Sequence, residues 1–240
     1  MSHCEVYRVR TRDCDMYGRW KPSALLEAMQ EVAIDHCESV GLGRGVTDGL
    51  GVVWVLSRIR VELSRQPVFG ETVTLETFAM PMRHLFFPRV HVFRDAEGRE
   101  IGGAQGLWVL MDIHTRRIVA NPFVARQLPF EDRPSPADVP ATVHPLCDAA
   151  EAASLLPGIT EFDLNGHVNN ARYMDWCWNA LGFDALRDRE IRRFDVNYDR
   201  EVLPGESIRT ELCRDGDAFS FCGFAENRRC FGISGELRAL

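Results

Sequence analysis

The same short pattern occurs twice in this chain. Arg65-Gln66-Pro67-Val68-Phe69-Gly70-Glu71-Thr72 lines up with Arg200-Glu201-Val202-Leu203-Pro204-Gly205-Glu206-Ser207, sharing Arg, Gly, Glu and a final hydroxyl residue. Asp15-x-x-Gly18-Arg19 lines up in the same way with Asp163-x-x-Gly166-His167. A repeated pattern of this kind points to two copies of one supersecondary unit, so the chain is expected to fold as two related halves. Between them, seven of the twelve prolines fall in the interval from Asn121 to Gly158. That density denies helix and central strand alike and marks a connection that wraps the surface. The expected division is an N-terminal unit over 1–121, a Pro-rich linker over 122–158 and a C-terminal unit over 159–240 that carries the chemistry.

Each half has one long helix and several strands. The first helix is expected to start at Pro22, which suits a first helical position, and to end before Gly41. Its apolar stripe is Leu25, Ala28, Met29, Val32, Ala33, His36 and Val40, and His36 reads there as a core or boundary residue. Around it, Glu5 to Arg12 reads as a strand, and period-two alternation marks strands at 57–63 and 72–77. Phe86–Arg94 and Ile101–Met111 complete the set, the last so continuously apolar that it belongs at the centre of a sheet. In the second half a short entry strand precedes a helix from about Asn170 to Leu181, capped by Asn169 or Asn170 and stopped at Gly182. Strands follow near 189–199, 206–214, 217–225 and 229–238, with a hairpin at Asp215-Gly216. One helix against several antiparallel strands, twice over, is an α+β arrangement.

The chemistry concentrates in Asp163-Leu164-Asn165-Gly166-His167-Val168-Asn169-Asn170. A carboxylate, a carboxamide and an imidazole stand at alternate positions, which in an extended segment project to one side and face one cleft. Turn and capping preferences account for one Asn but not for the whole run. In the N-terminal copy Arg19 replaces His167 and Gln66 replaces Glu201, so one active site is expected, built by the C-terminal copy.

These residues resemble the acyl-ACP thioesterases of plants and bacteria, whose signature is similar to Asp-x-Asn-x-His-Val-Asn-Asn. Tyr198-Asp199-Arg200-Glu201 resembles the second catalytic segment of that family. Glu38-Ser39-Val40-Gly41-Leu42, Trp54-Val55, Arg58, Trp108-Val109-Leu110-Met111 and Thr115-Arg116-Arg117 look like its N-terminal landmarks. The resemblance implies a tandem, or double, hotdog fold: α+β, two antiparallel sheets each wrapped around a helix. It implies hydrolysis of fatty acyl-[acyl-carrier-protein] to free fatty acid and acyl carrier protein, with Asp163, Asn165, His167 and Glu201 as the catalytic set. The roles expected are water activation by Glu201 and His167, orientation of His167 by Asp163, and positioning of thioester or water by Asn165. Backbone N–H groups at the start of the second helix are expected to hold the oxyanion. Some plant relatives carry Cys directly after the matched Glu, whereas this chain has Val202, and Cys177 on the apolar helix stripe reads as core. The acyl slot is expected between helix and sheet of the N-terminal half, with Trp54, Met29 and Phe78 as candidate walls. An acyl-CoA thioesterase and a non-catalytic acyl-thioester-binding module are the alternatives.

Composition narrows the setting. Hydrophobic residues make up 45% and charged residues 26% of 240, and the formal net charge is −7. Such a balance argues against a nucleic-acid or anionic-membrane surface, whose footprint is basic. Lys21 is the only lysine, and Arg187, Arg189, Arg192 and Arg193 form the densest cationic cluster, either a docking patch for an acidic partner or a solvated face. Eight scattered cysteines without a CxxC pair suggest reduced thiols, no disulfide framework and a cytoplasmic location. No apolar leader or membrane-spanning run is present, and no P-loop, GxSxG or HExxH motif appears. No cofactor and no metal are expected. The anticipated partner is acyl carrier protein bearing a fatty acyl-phosphopantetheine thioester, with no nucleic acid, and a homodimer is compatible with the duplication.

Overall fold

The computed structural model describes residues 2–147 and 150–240. Its strands are β1 (His3–Arg8), β2 (Val52–Leu63), β3 (Thr72–Ala79), β4 (Phe87–Arg94), β5 (Glu100–Asp112), β6 (Ile118–Val119), β7 (Ala150–Leu155), β8 (Arg189–Tyr198), β9 (Ile208–Asp215), β10 (Ala218–Ala225) and β11 (Arg228–Ala239). The helices are α1 (Pro22–Ser39), α2 (Arg44–Gly49), α3 (Pro122–Gln127) and α4 (Arg172–Leu186). As expected, α1 begins at Pro22 and buries Leu25, Met29, Val32 and His36. Beyond its end, Gly41 takes a positive φ of 72°, the conformation that glycine adopts without steric cost.

The two expected sheets are joined. All strands belong to one 11-stranded antiparallel sheet in the order β1-β3-β4-β5-β2-β8-β11-β10-β9-β7, with β6 on β5. The halves therefore meet as a tandem of helix-wrapped sheets fused at the β2–β8 seam, where Arg58 to Glu62 pair with Asn197 to Arg193. Ile59, Val61, Phe194 and Val196 at this seam are buried, in one core shared by α1 and α4. β5 lies between β4 and β2, the interior place its continuous apolar run demands.

Strand β8 departs from the simple alternation read in its sequence. Phe194 and Val196 are buried toward the helices, but Asp195 and Asn197 on the other face are also only 6% and 2% exposed. The Pro-rich connection covers them. Ala141 N–H donates to Asp195 Oδ1 and Val143 N–H to Asn197 Oδ1, both at 2.8 Å, and Asn197 Nδ2 donates to Ala141 O at 3.0 Å. Arg60 reaches across the seam to hold Asp195 through two bonds of 2.9 Å. The N–H groups of Ala141 and Val143 in this strap are thus satisfied by the side chains of Asp195 and Asn197 beneath it. Gly103 of β5 is bare for the same reason, since a Cβ there would lie 2.1 Å from Pro136 Cγ.

Two expectations for this interval and its cysteines are corrected. A helix does form in it, α3, because Pro122 occupies a first helical position and Asn121 Oδ1 accepts from Phe123 N–H and Val124 N–H at 3.0 and 3.2 Å. Cys147 and Cys213 form a disulfide with a Cα–Cα distance of 6.1 Å, and the remaining six cysteines are free. The pair was invisible in the spacing because the residues lie 66 positions apart and meet only when the strap runs back to β9. Among the described residues no helix is long and apolar enough to cross a membrane.

The halves are also clamped end to end. Arg19 Nε pairs with Asp15 Oδ2 at 3.3 Å, Nη2 donates to Leu186 O at 2.6 Å, and Nη1 donates to Arg189 O. Its side chain is 4% exposed. Gln66 supports the same junction, donating to Trp20 O at 2.6 Å and accepting from Ile191 N–H at 3.1 Å. Arg19→Met leaves the Asp15 carboxylate and the carbonyls of Leu186 and Arg189 without their cation, so it should destabilise the chain by about 3–5 kcal/mol, measured as a fall in the urea unfolding free energy.

Candidate active site

The run that reads as an extended segment in sequence is a tight loop in the structure. Asp163 N–H donates to His167 O and Gly166 N–H to Asp163 O, each at 3.0 Å, and Phe162 and Val168 close the loop as an isolated bridge. Gly166 turns the chain with a φ of 80°, a conformation suited to glycine. Asn165 N–H donates to Asp163 Oδ1 at 2.8 Å. A turn, not strand alternation, therefore gathers Asp163, Asn165 and His167 along one cavity wall. Beyond it, Asn169 Oδ1 accepts from Ala171 N–H at 2.9 Å. The N-cap of α4 is Ala171, one residue past the expected Asn170, and Gly182 breaks the helix with a φ of 77° before a further turn to Leu186.

The second segment is fixed against the first. Buried Val168 donates its N–H to Val202 O at 3.0 Å, and this bond sets the residue before Val202 opposite His167. His167 Nε2 stands 3.9 Å from Glu201 Oε1, while His167 Nδ1 lies 3.6 Å from Asp163 Oδ2 and 3.2 Å from Val168 O. Both neighbours of Nδ1 are acceptors; a proton on Nδ1 satisfies them and leaves the Nε2 lone pair facing Glu201. Glu201 Oε2 is paired with Arg116, from the turn between β5 and β6 in the other half. Arg116 was absent from the residues expected at the site. Its sequence signal was the Thr115-Arg116-Arg117 landmark, which shows nothing of the distant carboxylate.

Asp163, Asn165, His167 and Glu201 all line one cavity of about 1120 Å³. The N-terminal half contributes an apolar stretch to its lining, Ile34, Leu42, Trp54, Leu56, Phe87 and Trp108, beside polar residues such as Gln30, Glu38 and Arg89. Trp54 stands edge-on to Phe87, ring centroids 5.0 Å apart. Of the three candidate slot residues only Trp54 lines this cavity; Met29 and Phe78 are plain core. At the start of α4, the N–H groups of Asn169, Ala171 and Arg172 already donate to Glu161 O, Asn169 Oδ1 and Asn169 O. Those three amides already have partners within the chain.

Other candidates resolve as structural. His36 is buried, with Nδ1 at 2.9 Å from Arg89. Each arginine of the cluster is ion-paired: Arg187 with Asp184, Arg189 with Asp217, and Arg192 and Arg193 with one shared Glu236, at 2.7–3.1 Å. His3, Glu5 and Asp35 bring ligand atoms within 4.8 Å of one another, outside the cavity lining. Val202, in the position where some plant relatives carry Cys, is buried, and Cys177 is fully buried in the core of α4, where burial pushes its thiol well above the usual range.

Comparison with known proteins agrees with this geometry. Residues 1–123 match the family described as acyl-ACP thioesterase N-terminal domain, and residues 147–226 match acyl-ACP thioesterase C-terminal domain. The chain is 28% identical over 218 residues to the FATB3 acyl-[acyl-carrier-protein] hydrolase of Cuphea viscosissima, covering 84% of this chain and 52% of that one. It is 25% identical over 230 residues to oleoyl-acyl carrier protein thioesterase 2 of Arabidopsis thaliana, covering 86% and 61%. The chain thus spans little more than half the length of these chloroplastic relatives. The fold superposes on an acyl-ACP thioesterase from Bacteroides thetaiotaomicron with a TM-score of 0.92 at 21% identity, over 99% of this chain and 98% of that one. It superposes on the 12:0-ACP thioesterase from Umbellularia californica with a TM-score of 0.90 at 22% identity, over 100% and 98%. These likenesses establish the double hotdog fold.

Because the Cys177 thiol is buried and kept protonated, iodoacetamide at pH 8 should label exposed Cys4 in the native chain and leave Cys177 unmodified until the chain is denatured. Peptide mass mapping reads the difference.

Proposed function

Since the chain belongs to the acyl-ACP thioesterase family, we propose that it hydrolyses the thioester of a fatty acyl-[acyl-carrier-protein] to free fatty acid and the carrier thiol. The observation that carries this reading is the junction of an apolar cavity from one half with the Asp163, His167 and Glu201 cluster of the other. An acyl chain needs apolar walls, and a thioester needs an activated water where those walls end. The cavity supplies both.

The protonation pattern suggests how water is held. His167 Nε2 and Glu201 Oε1 are both acceptors, 3.9 Å apart, so one water can donate a hydrogen bond to each and turn its lone pair toward the thioester carbonyl. Attack forms the C–O bond as Glu201 takes the water proton, with His167 ordering the same water. Asp163 and Val168 O keep the imidazole proton on Nδ1. The tetrahedral intermediate then collapses, the C–S bond breaks, and the thiolate leaves with the proton Glu201 had accepted. Asn165, on the exposed tip of the loop, is the carboxamide that positions the thioester oxygen or the water. Neither Cys177, sealed in the core, nor the position after Glu201, held by Val202, supplies a thiolate beside this cluster.

Steady-state hydrolysis of acyl-ACP and acyl-CoA thioesters matched in chain length tests the proposal. ACP esters should turn over faster, and Glu201→Gln and His167→Ala should each lower kcat/KM by about 10²–10⁴-fold with unchanged circular dichroism. Preference for CoA would make this an acyl-CoA thioesterase, absence of turnover a binding module, and full activity in either variant would remove that residue from the catalytic set.

A further inference from the structure

We infer that Arg116 is a positioning residue for Glu201, through which the N-terminal half completes the active site it no longer builds for itself. The inference rests on the catalytic reading of Glu201 and goes beyond it. Arg116 Nη2 bonds Glu201 Oε2, leaving Oε1 as the oxygen that faces His167. A carboxylate on a loop can swing about its terminal torsion, which is broad for Glu. A guanidinium bound to one oxygen fixes that torsion and directs the other oxygen into the cavity.

The turn that presents Arg116 is built with unusual care. Asp112 Oδ1 accepts from His114 N–H at 3.0 Å, Thr115 N–H at 2.7 Å and Thr115 Oγ1 at 2.9 Å. The Thr115 bonds hold the Asp112 carboxyl below its ordinary range, so it stays an acceptor. Arg116 N–H donates to Asp112 O at 3.0 Å, and Asp112 N–H to Arg117 O at 2.9 Å. Within this frame Arg116 has a φ of 56°, a left-handed conformation uncommon for a residue with a side chain. Backbone strain of this kind persists where the surroundings over-determine it, and it clusters at functional sites. Here it aims a cation at the carboxylate opposite.

Charge balance calls for the same residue. Asp163 and Glu201 flank one imidazole from opposite sides, and two carboxylates around a single neutral ring repel each other until Glu201 takes the water proton. Arg116 offsets one of them from outside, on the oxygen that the reaction does not use. It touches neither water nor thioester in this role, so its effect should appear in kcat, through Glu201, rather than in substrate affinity.

The test uses the full chain with Arg116→Met and Arg116→Lys, each alone, and Arg116→Met combined with Glu201→Gln, assayed on acyl-ACP. Arg116→Met should lower kcat by about 10–100-fold, the size of a lost charge-assisted bond, with KM changed less than about twofold. Arg116→Lys should recover part of the loss, and in the Glu201→Gln background Arg116→Met should cost nothing further. A raised KM with unchanged kcat would overturn the inference and place Arg116 on the substrate instead. Additive losses in the double variant would overturn it too. Loss in Glu201→Gln with none in Arg116→Met removes this inference alone, whereas full turnover in Glu201→Gln removes the catalytic reading along with it.

Discussion

The antiparallel pairing of β2 with β8 is the contact on which the rest of this molecule depends. Each half by itself would expose a long central strand with a row of unpaired backbone groups, an edge that natural sheets avoid. Joined, the two edges satisfy each other, and the apolar side chains behind them, Ile59, Val61, Phe194 and Val196, merge into one core under α1 and α4. The same seam sets the distance between the N-terminal helix layer and the C-terminal loops. A cavity with apolar walls from one half and polar chemistry from the other follows from that joint, not from either half alone.

The duplication explains why the two ends of the molecule look alike and act differently. Around Asp15 the backbone repeats the bonds found around Asp163. Asp15 N–H donates to Arg19 O at 2.9 Å, Gly18 N–H to Asp15 O at 3.0 Å, Tyr17 N–H to Asp15 Oδ1 at 2.9 Å, and Trp20 N–H to Pro67 O at 2.8 Å. The positions of Asn165, His167 and Glu201 are thereby matched by Tyr17, Arg19 and Gln66. Arg19 and Gln66 in that copy grip Asp15 and the backbone of the opposite half. One loop geometry thus serves a clamp at one end and reactive groups at the other, the difference lying in side chains whose buried polar atoms find protein partners in the first case and face a cavity in the second.

Much of the local structure was legible. Pro22 and the stripe from Leu25 to His36 defined α1, the apolar run at 101–111 located an interior strand, and Arg19 and Gln66 marked the copy of the loop that lacks His and Glu. What misled was locality itself. Asp163, Asn165 and His167 were read as an extended segment, whereas Gly166 folds them into a loop that reaches the same cavity. The prolines of the strap were read as excluding helix, yet Pro122 stands where a missing N–H costs nothing. Nothing near Asp195 and Asn197 in sequence reveals that the strap lies over them.

The sequence by itself determined the duplication, the two long helices and most strands, and the candidate set of Asp163, Asn165, His167 and Glu201, because each rests on short-range periodicity, turn chemistry or motif. Only the tertiary structure decided that the two sheets are one, that Cys147 meets Cys213, that Asn169, Ala171 and Arg172 at the start of α4 give their N–H groups to the chain itself, and that Arg116 stands on Glu201. Those are contacts between residues far apart in the chain. Neither partner carries a local signal of the other, and a charge or thiol acquires its partner only when packing brings the two surfaces together.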